Sequence, residues 1–370
     1  MVGRASKLRG PERAGAHIAY ASSRNMTSNA PRGTVVVETV ESRALAGNPL
    51  GDPAARRTAI WLPPSYTSGD RRYPVIVWLA GYAGTGEQLF AGTPWQPGLG
   101  DRLDRLVGSG RMGEAIVVAP DGFSRWGGAQ YLDSPALGAY ETHVVGEVVP
   151  AIDARVRTVA GRDGRGVGGK SSGGFGALVL AMRHPDLFAA VASHAGDMYF
   201  ELSLLPDLPV AARTLRRHGG VDGFLTHFEA RENKDGADFT TMMVLATAGA
   251  YSPDPGRPHG VALPFDVETG EIDWAIWRRW KAWDPVELCG AHAEALRRMK
   301  LLFLDAGTRD EHHLDLGARV LASRLRALGV AFEHQEFDGG HRGTAYRYDV
   351  SLPKLAAAIG APPPASGPQG

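Results

Sequence analysis

One stretch constrains this chain more than any other: Val167-Gly168-Gly169-Lys170-Ser171-Ser172-Gly173-Gly174-Phe175-Gly176-Ala177-Leu178. Within it, Gly169-x-Ser171-x-Gly173 is the pattern of a serine held on a sharp strand-to-helix turn, with its hydroxyl clear of the backbone. A Cβ two residues before or after that serine would strike neighbouring chain, so both places call for glycine. The turn demands a strand before it, here Val167-Gly168, and a helix after it, here Gly174 to His184. It makes Ser171 a candidate nucleophile.

The same residues admit a rival. Gly164-Arg165-Gly166-Val167-Gly168-Gly169-Lys170-Ser171 also fits G-x-x-x-x-G-K-[ST], a phosphate-binding loop. Leu301-Leu302-Phe303-Leu304-Asp305 would then be the strand and acid that hold magnesium. Three features favour the serine turn. A phosphate-binding loop follows a buried apolar strand, whereas Arg162 and Asp163 precede Gly164. Its lysine and serine open a stable helix, whereas Gly173, Gly174 and Gly176 would fall in the first turns, each costing about 1 kcal/mol. A serine nucleophile also predicts an acid and then a histidine downstream, and both are present.

Serine needs a base to take its proton as it attacks, and the base needs an orienting carboxylate. After the strand at Leu301 come Asp305, Asp310 and Glu311. Asp310, in the loop beyond Gly307, is the favoured acid; Glu311 and Asp305 are fallbacks, Asp305 being placed to brace the loop instead. Phe337-Asp338-Gly339-Gly340-His341 then puts His341 just past the last strand, on a glycine loop able to carry its ring to the serine. The oxyanion of a tetrahedral intermediate needs backbone N–H donors. These are assigned to Ser172, after the nucleophile, and to Tyr82, in the loop Gly81-Tyr82-Ala83-Gly84. Lys170 is expected to point away from the serine, with a role in binding an anionic substrate the weaker alternative. His312-His313 is discounted as a metal pair, because adjacent helical residues diverge and no third ligand stands at ligand spacing. No metal or cofactor is expected.

Strand and helix patterns alternate along the chain. Val35 to Val40 and Thr58 to Leu62 read as an opening antiparallel pair. Pro74 to Ala80 and Ala115 to Ala119 are continuous apolar runs, as in parallel strands buried on both faces. Further strands are read at Phe188 to Ala192, Leu301 to Leu304 and Val330 to Phe337, with helices from Glu141 to Val156 and Leu314 to Leu328. This rhythm predicts an α/β fold with a mostly parallel sheet. Residues 34–197 and 291–360 form that core, and the proline-broken span 198–290 is read as a cap over the site. The cap carries Trp274, Trp277, Trp280 and Trp283. Trp274 and Trp277, with Trp126, are candidates for the wall of an aromatic or apolar pocket; the alternative is that the cap tryptophans anchor it to the core. Residues 1–33 and 361–370 are polar, small or proline-rich and are expected to be disordered, with Met26 an alternative start.

Composition removes other classes. Lysine plus arginine and aspartate plus glutamate both number 40, so no charge excess points to nucleic acid or a membrane surface. No apolar run approaches the roughly 18 residues that span a bilayer. The single cysteine, Cys289, allows no internal disulfide and suits a reducing, cytoplasmic setting. A homo-oligomer stays open.

Taken together, Trp61-Leu62-Pro63-Pro64-Ser65-Tyr66, Tyr73 to Gly81, Ala119-Pro120-Asp121-Gly122, the serine turn, Asp305 to Asp310 and Gly340-His341 resemble the putative esterase family of α/β-hydrolases. That family includes esterase D, feruloyl and enterochelin-type esterases and mycolyltransferases. The resemblance implies an α/β-hydrolase fold and a carboxylic ester as small-molecule substrate. Ser171, Asp310 and His341 take the triad positions, and Tyr82 and Ser172 the oxyanion positions. Two departures stand out: Lys170 replaces a frequent histidine, and the insertion lengthens the path from nucleophile to acid. An acyltransferase with the same triad and a catalytically silent homologue are the remaining alternatives.

Overall fold

Runs such as Val75–Leu79 and Ile116–Pro120 are too short for stable helices and buried along their whole length, so they fill the middle of a sheet. The computed structural model describes residues 31–93 and 95–361. Eight strands form its main sheet: β1 (Thr34–Glu41), β2 (Ala55–Leu62), β3 (Val75–Leu79), β4 (Ile116–Pro120), β5 (Arg165–Lys170), β6 (Ala190–His194), β7 (Leu301–Gly307) and β8 (Glu333–Phe337). Their order is β1-β2-β4-β3-β5-β6-β7-β8. β1 and β2 pair antiparallel, β2 joins β4 antiparallel, and β3 to β8 run parallel.

Side-chain alternation sorts two helical layers onto the sheet. Val75, Val77 and Leu79 of β3 pack on one face with α2 (Ser172–Arg183) and α6 (Leu314–Ala327). Ile76 and Trp78 pack on the other with α1 (Leu99–Gly108) and α7 (Tyr348–Ala358). Residues 198–290 add mostly helix, including α3 (Leu208–Arg217), α4 (Gly236–Tyr251) and α5 (Trp274–Lys281). These helices share a separate apolar cluster with Phe175 and Val179 of α2, so the nucleophile helix is gripped from both sides.

Several boundaries move from those the sequence suggests. β5 is longer than Val167-Gly168, because Gly166 to Gly169 pair with strands on both sides and Arg165 and Lys170 each with one. That pairing also removes the phosphate-loop reading: Arg165 to Lys170 form a central strand of the sheet, not an open cradle. β6 begins at Ala190, since Phe188 still closes a turn onto the His184 carbonyl. β8 begins at Glu333 and is the polar edge of the sheet. The helix expected from Glu141 to Val156 spans residues 140–155 and contains a wider π-helical turn at His143–Val148. Gly33 donates its amide to Asp104 at 2.8 Å, and Ala361 is buried, so packing takes in one residue at each end of the expected core. Residues 1–30 and 362–370 of the expected tails lie outside the described residues. Among the described residues no helix is long and apolar enough to cross a membrane.

Candidate active site

Ser171 lies between β5 and α2 with φ 58° and ψ −127°, a conformation that side chains other than hydrogen rarely adopt. The flanking glycines permit it. A Cβ on Gly173 would lie 2.2 Å from the Leu79 carbonyl oxygen, and one on Gly169 2.5 Å from that of Gly173. The Ser171 amide donates to the His194 carbonyl at 3.0 Å, which ties the turn to β6.

Beyond the carboxyl ends of β7 and β8, two loops converge on this serine. His341 Nε2 lies 3.2 Å from Ser171 Oγ, and His341 Nδ1 lies 2.9 Å from Asp310 Oδ2. The other Asp310 oxygen accepts the His312 amide at 2.9 Å. Burial opposes the Asp310 carboxylate, but the His341 hydrogen bond and charge and the His312 amide outweigh it, and its pKa falls below the ordinary value. Glu311 acts elsewhere. It accepts the backbone amide of His341 at 2.6 Å and so fixes the loop rather than the ring.

Asp305, the other fallback acid, is engaged elsewhere. It is buried, accepts from Arg347 Nε at 2.8 Å and meets His194 Nδ1 at 2.6 Å. His194 Nε2 in turn lies 2.7 Å from Ser351 Oγ. This is a second Ser-His-Asp chain, sealed between the sheet and α7, with all three residues at most 2% exposed.

The two expected oxyanion donors flank Ser171. Ser172 is the first residue of α2, where an amide has no partner within its helix. Tyr82 lies in the loop after β3, and among the described residues its amide has no acceptor. That loop is braced throughout. The Tyr131 hydroxyl donates to the Ala80 carbonyl at 2.8 Å, the Tyr82 hydroxyl to the Trp126 carbonyl at 2.7 Å, and the Ala83 amide to the Gly127 carbonyl at 2.8 Å. Ala83, Gln130 and Tyr131 all hold positive φ near 60°. Each costs about 1–3 kcal/mol, and such strain gathers where a fold must hold groups in place for chemistry.

Ser171, Ser172, Tyr82 and His341 line one cavity of about 320 Å³. Leu204, Phe239 and Met243, all from residues 198–290, join Leu79 and Leu89 in its apolar wall. The Phe239 ring meets that of Tyr82 edge-on at 5.2 Å. None of the three candidate tryptophans reaches this lining. Trp126 and Trp277 are buried in the apolar cluster under α3 to α5, and Trp274 is 57% exposed at the start of α5. Trp274 is the first residue of α5 and is left exposed there, whereas Trp277, one turn further on, is buried. Lys170, expected to point away from the serine, is among the residues that line this cavity.

Sequence reasoning passes over Asp197, Gln130, His312 and Arg342, which complete the polar lining. Asp197 was detectable in principle, because it follows β6 at the end of the sheet where ligands bind in α/β folds. Burial raises its pKa, and it accepts from Gln130 Nε2 at 3.2 Å. The His312 ring meets that of His341 at 4.9 Å.

The profile of the family described as "Putative esterase" matches residues 53–356. The chain belongs to that family. The chain is 29% identical over 308 residues to the Mycobacterium tuberculosis protein named Esterase Rv1288, a match that covers 79% of this chain and 54% of the relative. It thus spans about half the length of the curated relatives it matches. Solved structures share its α/β-hydrolase fold. A ferulic acid esterase superposes with a TM-score of 0.58 at 22% identity, covering 89% of this chain and 99% of the other. An S-formylglutathione hydrolase from Agrobacterium tumefaciens superposes with a TM-score of 0.57 at 17% identity, covering 92% and 99%.

Proposed function

We propose that this member of the esterase family hydrolyses small carboxylic esters through an acyl-enzyme on Ser171. The observation that carries the reading is the relay from Ser171 Oγ to His341 Nε2 to Asp310, open to a cavity beside two amides. His341 takes the serine proton as Oγ attacks the ester carbonyl. The amides of Ser172 and Tyr82 hold the oxyanion. The resulting imidazolium then protonates the leaving alcohol, while Asp310 keeps the ring oriented and stabilises its charge. Water, activated by the same histidine, releases the acid. The steps need no metal, so EDTA should leave the rate unchanged.

Residues 198–290 serve as a cap over the cavity, a reading supported by Leu204, Phe239 and Met243 in its wall. The apolar side suits an apolar acyl group. The buried, unpaired Cys289 supports a reducing, cytoplasmic setting. The test is intact-protein mass spectrometry after a fluorophosphonate probe, on the wild type and on Ser171→Ala. One adduct mapping to Ser171 and absent from the variant is expected. Folded protein that takes no adduct, or takes it elsewhere, would overturn the reading.

A further inference from the structure

Two cations stand beside the reacting groups. Lys170 immediately precedes the nucleophile, Arg342 immediately follows the base, and both line the cavity. Among the described residues neither makes a hydrogen bond or an ion pair, although 40 acidic residues are available in the chain. The nearby carboxylates are otherwise engaged. Asp310 is taken by His341 and Glu311 by the His341 amide, while Asp197 is held by Gln130. Burial lowers the Lys170 pKa, with Asp310 opposing that effect and Arg342 adding to it. The carboxylates of Asp310, Glu311 and Asp197 favour the Lys170 charge from a distance, but among the described residues none of them makes a direct ion pair with it. A ligand anion in direct contact would offset the cost of holding an ammonium partly withdrawn from water beside a guanidinium. Arginine offers a planar fork for two oxygens and lysine a point charge, which together suit a carboxylate or a phosphate. Asp197, on the same cavity, accepts from Gln130 and makes no ion pair with either cation among the described residues.

We propose that Lys170 and Arg342 form an anion-recognition subsite, and that the preferred ester carries a carboxylate or phosphate group beside the scissile bond. This rests on the ester-hydrolase reading and narrows its substrate class. The experiment compares matched substrates: p-nitrophenyl hydrogen glutarate against p-nitrophenyl valerate, and the acetyl ester of glycerol 3-phosphate against glycerol monoacetate. The readout is the ratio of kcat/KM within each pair, in wild type, Lys170→Met and Arg342→Gln. A ratio within one variant does not depend on how much of it folds. The anionic member should be preferred about tenfold or more in at least one pair, which also tells carboxylate from phosphate. That preference should shrink in both variants, mainly through KM, and weaken as salt is added. No preference in wild type, or one that both variants retain, overturns the inference. If the fluorophosphonate labels Ser171 and no anion preference exists, the subsite fails alone. If no ester turns over and no serine is labelled, the hydrolase reading fails with it.

Discussion

Replacing Asp310 by asparagine tests the relay at its least replaceable point. The aspartate accepts from His341 Nδ1 at 2.9 Å and from the His312 amide at 2.9 Å, one oxygen each. Asparagine has a single oxygen. If that oxygen keeps the His312 amide, its NH₂ group faces Nδ1 and forces the tautomer with hydrogen on Nε2. His341 then presents a donor to Ser171 at 3.2 Å and cannot accept its proton. The charge that stabilises the imidazolium is lost as well. Where a triad acid has been changed this way the rate drops about 10⁴-fold, equivalent to about 5.4 kcal/mol of transition-state stabilisation at 1.36 kcal/mol per factor of ten. The assay is steady-state hydrolysis of p-nitrophenyl esters at neutral pH, with circular dichroism to confirm folding. Glu311→Gln and Asp305→Asn are the comparisons, because one acid holds a loop amide and the other the sealed network. A loss below about tenfold in Asp310→Asn would falsify the assignment, and so would an equal loss in Asp305→Asn at unchanged stability. Asp310 also ties stability to pH. Its folded pKa lies below the ordinary 3.8, so its contribution is fully present above that value and is lost as pH falls through the lower one.

Two further outcomes test the surroundings. Gly173→Ala should destabilise the fold by about 1–3 kcal/mol or more in urea unfolding, since the new Cβ meets backbone of β3 that cannot swing aside; a smaller change would mean that the turn can relax. Asp207→Asn should stabilise: burial, reinforced by Asp197, raises the Asp207 pKa from 3.8 to about 6, and among the described residues its Oδ2 has no hydrogen-bond partner. The wild type therefore loses stability as pH rises from about 4 to 6, by at most about 3 kcal/mol. The variant's advantage should appear at pH 7 and vanish near pH 4, and equal stability at both would contradict the burial argument.

How much of this was legible in the sequence depends on whether a residue's place is set locally. The serine turn is local: two glycines dictate it, because a side chain at either place would meet backbone. The central strands were legible because burial on both faces leaves an unbroken apolar run, as at Val75–Leu79. β8 was harder, since an edge strand such as Glu333–Phe337 need not be apolar. His341 could be read from its glycine loop past the last strand. The tryptophans could not be placed, because helix spacing says which side chains share a face but not what that face meets. Asp197, after β6, and Arg342, in the loop after β8, line one cavity, a tertiary fact with no local signature.

The sealed Ser351–His194–Asp305 chain has a consequence for how hydrolases are recognised. Its spacings of 2.7 Å and 2.6 Å are tighter than the 3.2 Å and 2.9 Å of the open set. A search by interatomic template would return this molecule twice and rank the inert copy first. Ser351 lies inside α7, with no approach for a reagent and no turn to aim its oxygen outward. The two sets form a matched pair within one chain, alike in composition and unlike in access. Comparing how a small electrophile treats the two serines would weigh exposure and backbone presentation against spacing, with sequence background, solvent and temperature held identical.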